Sequence, residues 1–248
     1  MKMRFHSSRF ALIGAGILAL SACTPAPSAT GISDPQEAAN RRMHDLNTRF
    51  DQAFFGPASN AYGTGVPQPV RDRVSDFAAN TSLPSLIVND LLQGKIEDAA
   101  HNTVRFLFNA TIGLAGLFDP ASGIGLEERS TDFGETLHVW GVAEGDYVVM
   151  PFFGPSNERD AVGTVVDFFT NPLSYKLPTP ESYFPTSAGV IARFGDRYTY
   201  ATTVDDILYN SEDGYSTARL FYLDNRRYTL GGEDVADELY DIYEEAYE

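Results

Sequence analysis

The stretch from Lys95 to Phe118 limits what this chain can fold into more than any other. Plotted as a helix at about 100° per residue, Asp98, His101, Asn102, Arg105, Asn109, Gly113 and Gly116 form one narrow stripe, interrupted only by Ile112. Beyond the first turn everything around it is apolar or small: Ala99, Val104, Phe106, Leu107, Phe108, Ala110, Leu114, Leu117 and Phe118 among them. A helix on a soluble surface carries a broader polar face than this. The uncharged run from Phe106 to Phe118 falls short of the roughly 20 residues that a bilayer crossing takes. Two arrangements satisfy the pattern. One is the central helix of a soluble core, with Arg105 and Asn109 satisfied by neighbours. The other is a helix lying in one leaflet, apolar side to lipid, with its polar stripe turned inward to a cavity.

The N-terminus already points to a membrane. Lys2, Arg4 and Arg9 precede an apolar run from Phe10 to Leu20, followed by Leu20-Ser21-Ala22-Cys23. Residues 1–22 therefore read as a secretory signal peptide rather than a spanning helix. Cys23 is the only cysteine, so an internal disulfide is impossible and thiol lipidation gives it a purpose. Its four residues resemble the lipobox of bacterial lipoproteins. Thr24 stands where an aspartate would resemble an inner-membrane retention signal, which favours the outer membrane. Each buried acyl methylene contributes about 0.8 kcal/mol, and two or more chains hold a protein stably. Residues 23–33, rich in Pro, Ala, Ser and Thr, are a lipidated flexible tether.

Charge narrows the partners. The chain has 18 Lys+Arg against 34 Asp+Glu, and cleaving the signal removes three cations and no anions. A field of that sign repels nucleic acid, so none is expected as a partner.

Beyond the tether, the chain reads as one mainly helical domain over 34–230 with an acidic tail at 231–248. Asp34-Pro35 opens a helix that runs to Phe55 and stops at Gly56-Pro57. Asn60 to Pro69 reads as loop, Arg71 to Ala79 as a short helix, and Leu83-Pro84 as the restart of another capped by Gly94. Asp119 to Gly125 is a glycine-rich turn, and Tyr147 to Phe153 a short strand. A helix follows from Ser156, its cap, to Phe169. Prolines 172, 178, 180 and 185 imply a long irregular connection. Helical patterning resumes from Ser187 to Arg227, broken around Asn210 to Gly214, with Tyr215, Arg219, Tyr222 and Arg226 on one face as a surface ladder.

Catalytic patterns are missing, and an enzyme is not expected. Ser156 in GPSNE is no nucleophile elbow. His44, His101 and His138 lack a second ligand at metal spacing, so neither a metal nor a cofactor is expected. His101 and His138 also lack the aspartate of an H-x-x-x-x-D acyltransferase. Glu127-Glu128 and Glu244-Glu245 read as solvated charge.

Seven ordered blocks carry a resemblance: DPQEAANRRMHDLN (34–47), VPQPVR (66–71), LLQGK (91–95), RFLFNATIGLAGLFD (105–119), DFGETLHVWGV (132–142), GPSNERD (154–160) and SxDxYxxxRxxYxxxR (211–226). Together they resemble the MlaA/VacJ family of outer-membrane lipoproteins over Asp34 to Arg227. The resemblance implies a helical ring lying in one membrane leaflet around an amphipathic channel, with at most a short strand. It implies removal of mislocalised phospholipid from the outer leaflet toward the periplasm, which keeps the outer membrane asymmetric. The implied partners are phospholipid, a trimeric porin, and a periplasmic lipid carrier feeding an inner-membrane ABC transporter. Within the blocks, Asn40, Arg41, Asn47, Arg105 and Asn109 are the candidates for channel lining or gate support. Each could instead hold helices together by hydrogen bonds. His138 departs from the family, which more often has a small residue there. A lipidated envelope scaffold that binds porin without carrying lipid is the alternative.

Overall fold

The structure, a computed structural model, describes residues 32–231. The signal peptide, Cys23, the tether up to residue 31 and all but the first residue of the acidic tail lie outside them.

The elements in chain order are α1 (Glu37–Phe50), α2 (Gly56–Gly65), α3 (Gln68–Gln93), α4 (Ile96–Thr111), α5 (Phe133–Val139), β1 (Tyr147–Met150), β2 (Gly154–Asn157), α6 (Glu158–Thr170), α7 (Leu173–Lys176), α8 (Phe184–Thr199), α9 (Ala201–Asp205) and α10 (Gly214–Gly231). The strands form one antiparallel hairpin, with Tyr147 opposite Asn157 and Met150 opposite Gly154. A mainly helical fold is what the sequence predicts; it allows at most one short strand, and the second, Gly154–Asn157, is an addition.

The packing closes into a circuit. The turn after α1 packs on α2, α2 on α8, α8 on α3, α3 on α4 and α5, α5 on α6, and α6 on the hairpin, which returns to α1. Gly163 of α6 lets α5 approach so closely that a Cβ there would lie 2.4 Å from the Gly134 nitrogen. A conventional core exists at one place only among the described residues, where Tyr147 and Val149 pack on Tyr215 and Leu223 of α10.

Elsewhere the usual partition is reversed. On α4, Asn102, Arg105 and Asn109 are 0%, 5% and 2% exposed, while Val104 and Leu107 are more than half exposed. Phe168 and Phe169 on α6 and Leu91 on α3 also face outward. Buried amides and carboxylates are costly unless hydrogen-bonded, and here they are. The Asn102 amide donates to Asp90 at 2.9 Å and to the Arg129 carbonyl at 2.8 Å. The helix thus combines the two arrangements open for it: its apolar side faces outward, while Asn102, Arg105 and Asn109 are satisfied by neighbours.

Several boundaries differ from the sequence reading. Gly56-Pro57 does not stop the first helix. A π-helical turn at Asp51–Phe55 leads straight into α2, and Pro57 occupies its first turn, where no backbone N–H is needed. The expected loop at 60–69 is therefore helical to Gly65. The two short helices expected between 71 and 93 are one, running through Pro84. Pro84 leaves the Asn80 carbonyl without its helical donor, and beside that break Asn171 donates to the Thr81 carbonyl at 3.0 Å. Gly94 caps α3 in the left-handed region, as expected. The stripe helix ends at Thr111, and 112–118 is a turn with Leu114, Ala115 and Gly116 at positive φ. Ser156 lies in β2; Asn157 is the cap of α6, accepting from the Asp160 N–H at 2.8 Å. The proline-rich connection holds two short helical turns, α7 and 181–183.

Candidate functional site

The circuit encloses two cavities of opposite character. The first, about 580 Å³, is walled by Phe50, Phe54, Phe55, Phe152, Phe194 and Leu208, with Asn47, Asp51 and Arg197 among them. The second, about 470 Å³, is lined by Asp132, Glu135, Ser156, Asp160, Asp167, Tyr222 and Arg226. They share Phe153, Pro155 and Arg193, so they meet there. One side of the interior suits hydrocarbon and the other suits charge.

The aromatic side comes from the end of α1 and its π turn facing α8. Phe55 and Phe194 lie 4.9 Å apart between ring centroids, and Phe50 meets Phe152 edge-on at 4.9 Å. Asp51 is held among these rings by Arg197, whose two nitrogens donate at 3.0 and 2.8 Å, and by the Tyr209 hydroxyl at 2.5 Å. Burial pushes its pKa up, but these donors outweigh that and leave it lowered.

The polar side centres on Arg226. Its guanidinium donates to Asp160 at 2.7 Å and to both oxygens of Asp132 at 2.8 Å, while Tyr222 adds a hydrogen bond to Asp160 at 2.7 Å. Burial raises the Asp160 pKa, yet Arg226, Tyr222 and Arg159 hold it down at about 2. Asp167 is different. It accepts from the Asn89 amide at 3.0 Å and the Phe133 N–H at 2.8 Å, and burial leaves its pKa raised. The ladder of Tyr215, Arg219, Tyr222 and Arg226 is thus an internal brace. Tyr215 and Arg219 reach Asp34, and Tyr222 and Arg226 reach Asp160. The surface position expected for it is wrong, because these aspartates turn that face inward.

The five sequence candidates separate. Asn47 lines the aromatic cavity. Asn40 is buried at the hairpin, donating to the Tyr147 carbonyl and accepting from the Val149 N–H. Arg41 pairs with both oxygens of Asp213 and lies 4.4 Å over the Tyr215 ring. Arg105 and Asn109 both hold Asp119, at 2.7 and 2.9 Å, and so tie the 119–126 turn to α4. Glu128, expected as solvated charge, is half-buried near Arg105, and burial raises its pKa. His138 faces Arg159, with Nδ1 3.2 Å from the guanidinium.

Residues 32–229, nearly all of the described chain, match the MlaA lipoprotein family. The chain belongs to that family. It is 31% identical over 210 residues to the intermembrane phospholipid transport system lipoprotein MlaA of Escherichia coli (strain K12), covering 83% of this chain and 81% of that one. It is 33% identical to an uncharacterized protein of Rickettsia prowazekii over 76% of this chain and 74% of the relative. A chain from a solved structure concerned with the structural basis for maintenance of bacterial outer membrane lipid asymmetry superposes with a TM-score of 0.67 at 31% identity. That match covers 78% of this chain and 96% of the other.

Sequence reasoning missed Arg193, Asp167 and the phenylalanine wall as members of the family's interior. A partial signal for the wall was present: Phe50 and Phe54, four apart, share one helical face, whereas Phe55 joins them only through the π turn. Arg193 carries no such pattern.

Proposed function

We propose that this chain moves mislocalised phospholipid from the outer leaflet of the outer membrane toward the periplasm, by a passive path through the interior of the ring. The observation that carries this reading is the reversed partition, apolar residues outward and polar ones inward, around cavities that are aromatic on one side and charged on the other. Moving a headgroup through hydrocarbon costs several kcal/mol, while acyl chains prefer to stay there. A lining with both characters lowers that barrier without bond-making chemistry, so the protein acts as a conduit and not as an enzyme.

Among the described residues no helix is long and apolar enough to cross a membrane. The ring sits in the periplasmic leaflet by its apolar rim, and acyl chains on Cys23 supply a second attachment. A trimeric porin would hold it in place. A soluble periplasmic lipid carrier, feeding an inner-membrane ABC transporter, would take the lipid onward. The transport role named for the Escherichia coli relative supports this placement. Deleting the gene tests it: phospholipid labelled from outside the cell should rise in the outer leaflet. An unchanged amount would leave the chain a lipidated scaffold.

A further inference from the structure

Among the described residues, Arg193 and Asp167 are the charged groups lining the polar cavity that lack a counter-ion at ion-pair distance; in the adjoining aromatic cavity Asp196 also lacks one. Arg193 lies where the aromatic and polar cavities meet. Among the described residues its guanidinium makes no ion pair; Asp196 feels its field without reaching ion-pair distance. Asp167 lines the polar cavity and accepts only from an amide and a backbone N–H, with no Lys or Arg at ion-pair distance. The remaining carboxylates of the polar cavity are occupied. Asp132 and Asp160 share Arg226, and Glu135 pairs with Lys95.

We propose that the junction binds a zwitterionic phospholipid headgroup, with Arg193 taking the phosphate, Asp167 the ammonium, and the phenylalanine wall the acyl chains. This rests on the lipid-path reading above and adds a preference to it. A guanidinium with free donors matches a phosphate oxygen pair. An ammonium in the polar cavity gives Asp167 the partner it lacks. An anionic headgroup without an amine leaves Asp167 unpaired and adds a negative charge to a lining already rich in carboxylates. Phosphatidylethanolamine is therefore preferred over phosphatidylglycerol.

The test is competitive loading of the purified full-length lipoprotein in detergent. Equimolar phosphatidylethanolamine and phosphatidylglycerol with identical chains are offered, and bound lipid is counted by native mass spectrometry. The wild type should favour the ethanolamine lipid by roughly five- to tenfold, the size of one partly desolvated ion pair. Arg193→Gln, which breaks no hydrogen bond or ion pair within the fold, should weaken both lipids alike because both carry the phosphate. Asp167→Asn should bring the ratio near one. If that variant melts early, phosphatidylcholine serves instead: its fixed cation should compete nearly as well as ethanolamine on the wild type. Equal loading of ethanolamine and glycerol lipids, or an unchanged ratio in a folded Asp167→Asn, overturns the preference while leaving the lipid path standing. No lipid bound by the wild type overturns both.

Discussion

Asn47 clasps the turn that carries Phe152: the Phe152 N–H donates to its side-chain oxygen at 2.8 Å, and its amide donates to the Met150 carbonyl at 2.9 Å. The clasp holds Phe152 at φ +65°, a conformation that costs a non-glycine residue roughly 1 kcal/mol or more. The ring is thereby set edge-on to Phe50 at the wall of the aromatic cavity. A single asparagine thus fixes both a strained turn and the shape of the interior.

Asn47→Ala should therefore hurt function more than stability. Two hydrogen bonds are lost beside an exposed turn, worth about 1–2 kcal/mol. The melting temperature should fall by only a few degrees, at roughly 2–4 °C per kcal/mol for a domain of this size. Outer-leaflet phospholipid should rise clearly in cells making it at normal levels. A normal outer leaflet would mean that the 150–153 turn does not shape the path.

Arg226→Met should be among the most destabilising single changes in the chain. It leaves Asp132 and Asp160 without their shared cation, and Asp160 is buried. Removing one partner of such a pair costs about 3–5 kcal/mol, whereas removing both charges costs less. Thermal unfolding of Arg226→Met alone and with Asp160→Asn should show partial rescue in the double variant. Strictly additive losses would mean that the two side chains do not act as a unit.

The proposed placement has two separate attachments, acyl chains on Cys23 and the apolar rim, and a Cys23→Ser protein exported behind a cleavable signal isolates the second. It should still float with liposomes. Adding Leu107→Glu and Ile112→Glu, both on outward-facing positions, should abolish flotation with little change in melting temperature. A Cys23→Ser protein found wholly in the soluble fraction would leave the cysteine as sole anchor.

Acid should weaken the fold over a defined window. Asp160 and Asp119 both have pKa values lowered to about 2, the latter because Ser122, Asn109 and Arg105 outweigh its burial. At about 1.4 kcal/mol per pKa unit, each contributes roughly 2 kcal/mol. That contribution is complete above the unfolded value near 4 and is lost as pH falls toward 2. Asp167 and Glu128, raised by burial, act with the opposite sign, so their ionisation opposes folding as pH rises. Thermal melts from pH 6 to pH 2 should show the gap between wild type and Asp160→Asn narrowing below pH 4. A constant gap would detach the Asp160 charge from stability.

Much of this architecture is legible in the sequence, because the α4 stripe encodes which side of a helix faces in. The periodicity alone left two orientations open, since a polar stripe can face a cavity or a set of buried partners. In the structure Asn102, Arg105 and Asn109 face buried partners, bonding to neighbouring loops, while the apolar side is exposed. Helix breakers misled at Pro84, which α3 runs through, and at Gly56-Pro57, where the π turn carries the helix on. The Tyr215–Arg226 ladder looked solvent-facing because its counter-ions, Asp34, Asp132 and Asp160, lie 66 to 185 residues away in sequence. Long-range charge pairing leaves no periodic trace.

The central claim is that lipid passes through the inside of the ring, and a plug with a matched control tests it most directly. Val190 of α8 and Val104 of α4 are 53% and 51% exposed, but Val190 lines the aromatic cavity and Val104 lies outside it. Val190→Trp, at normal membrane levels, should raise outer-leaflet phospholipid to that of the deletion strain, while Val104→Trp leaves it at wild type. Full function of the Val190→Trp protein would contradict the account.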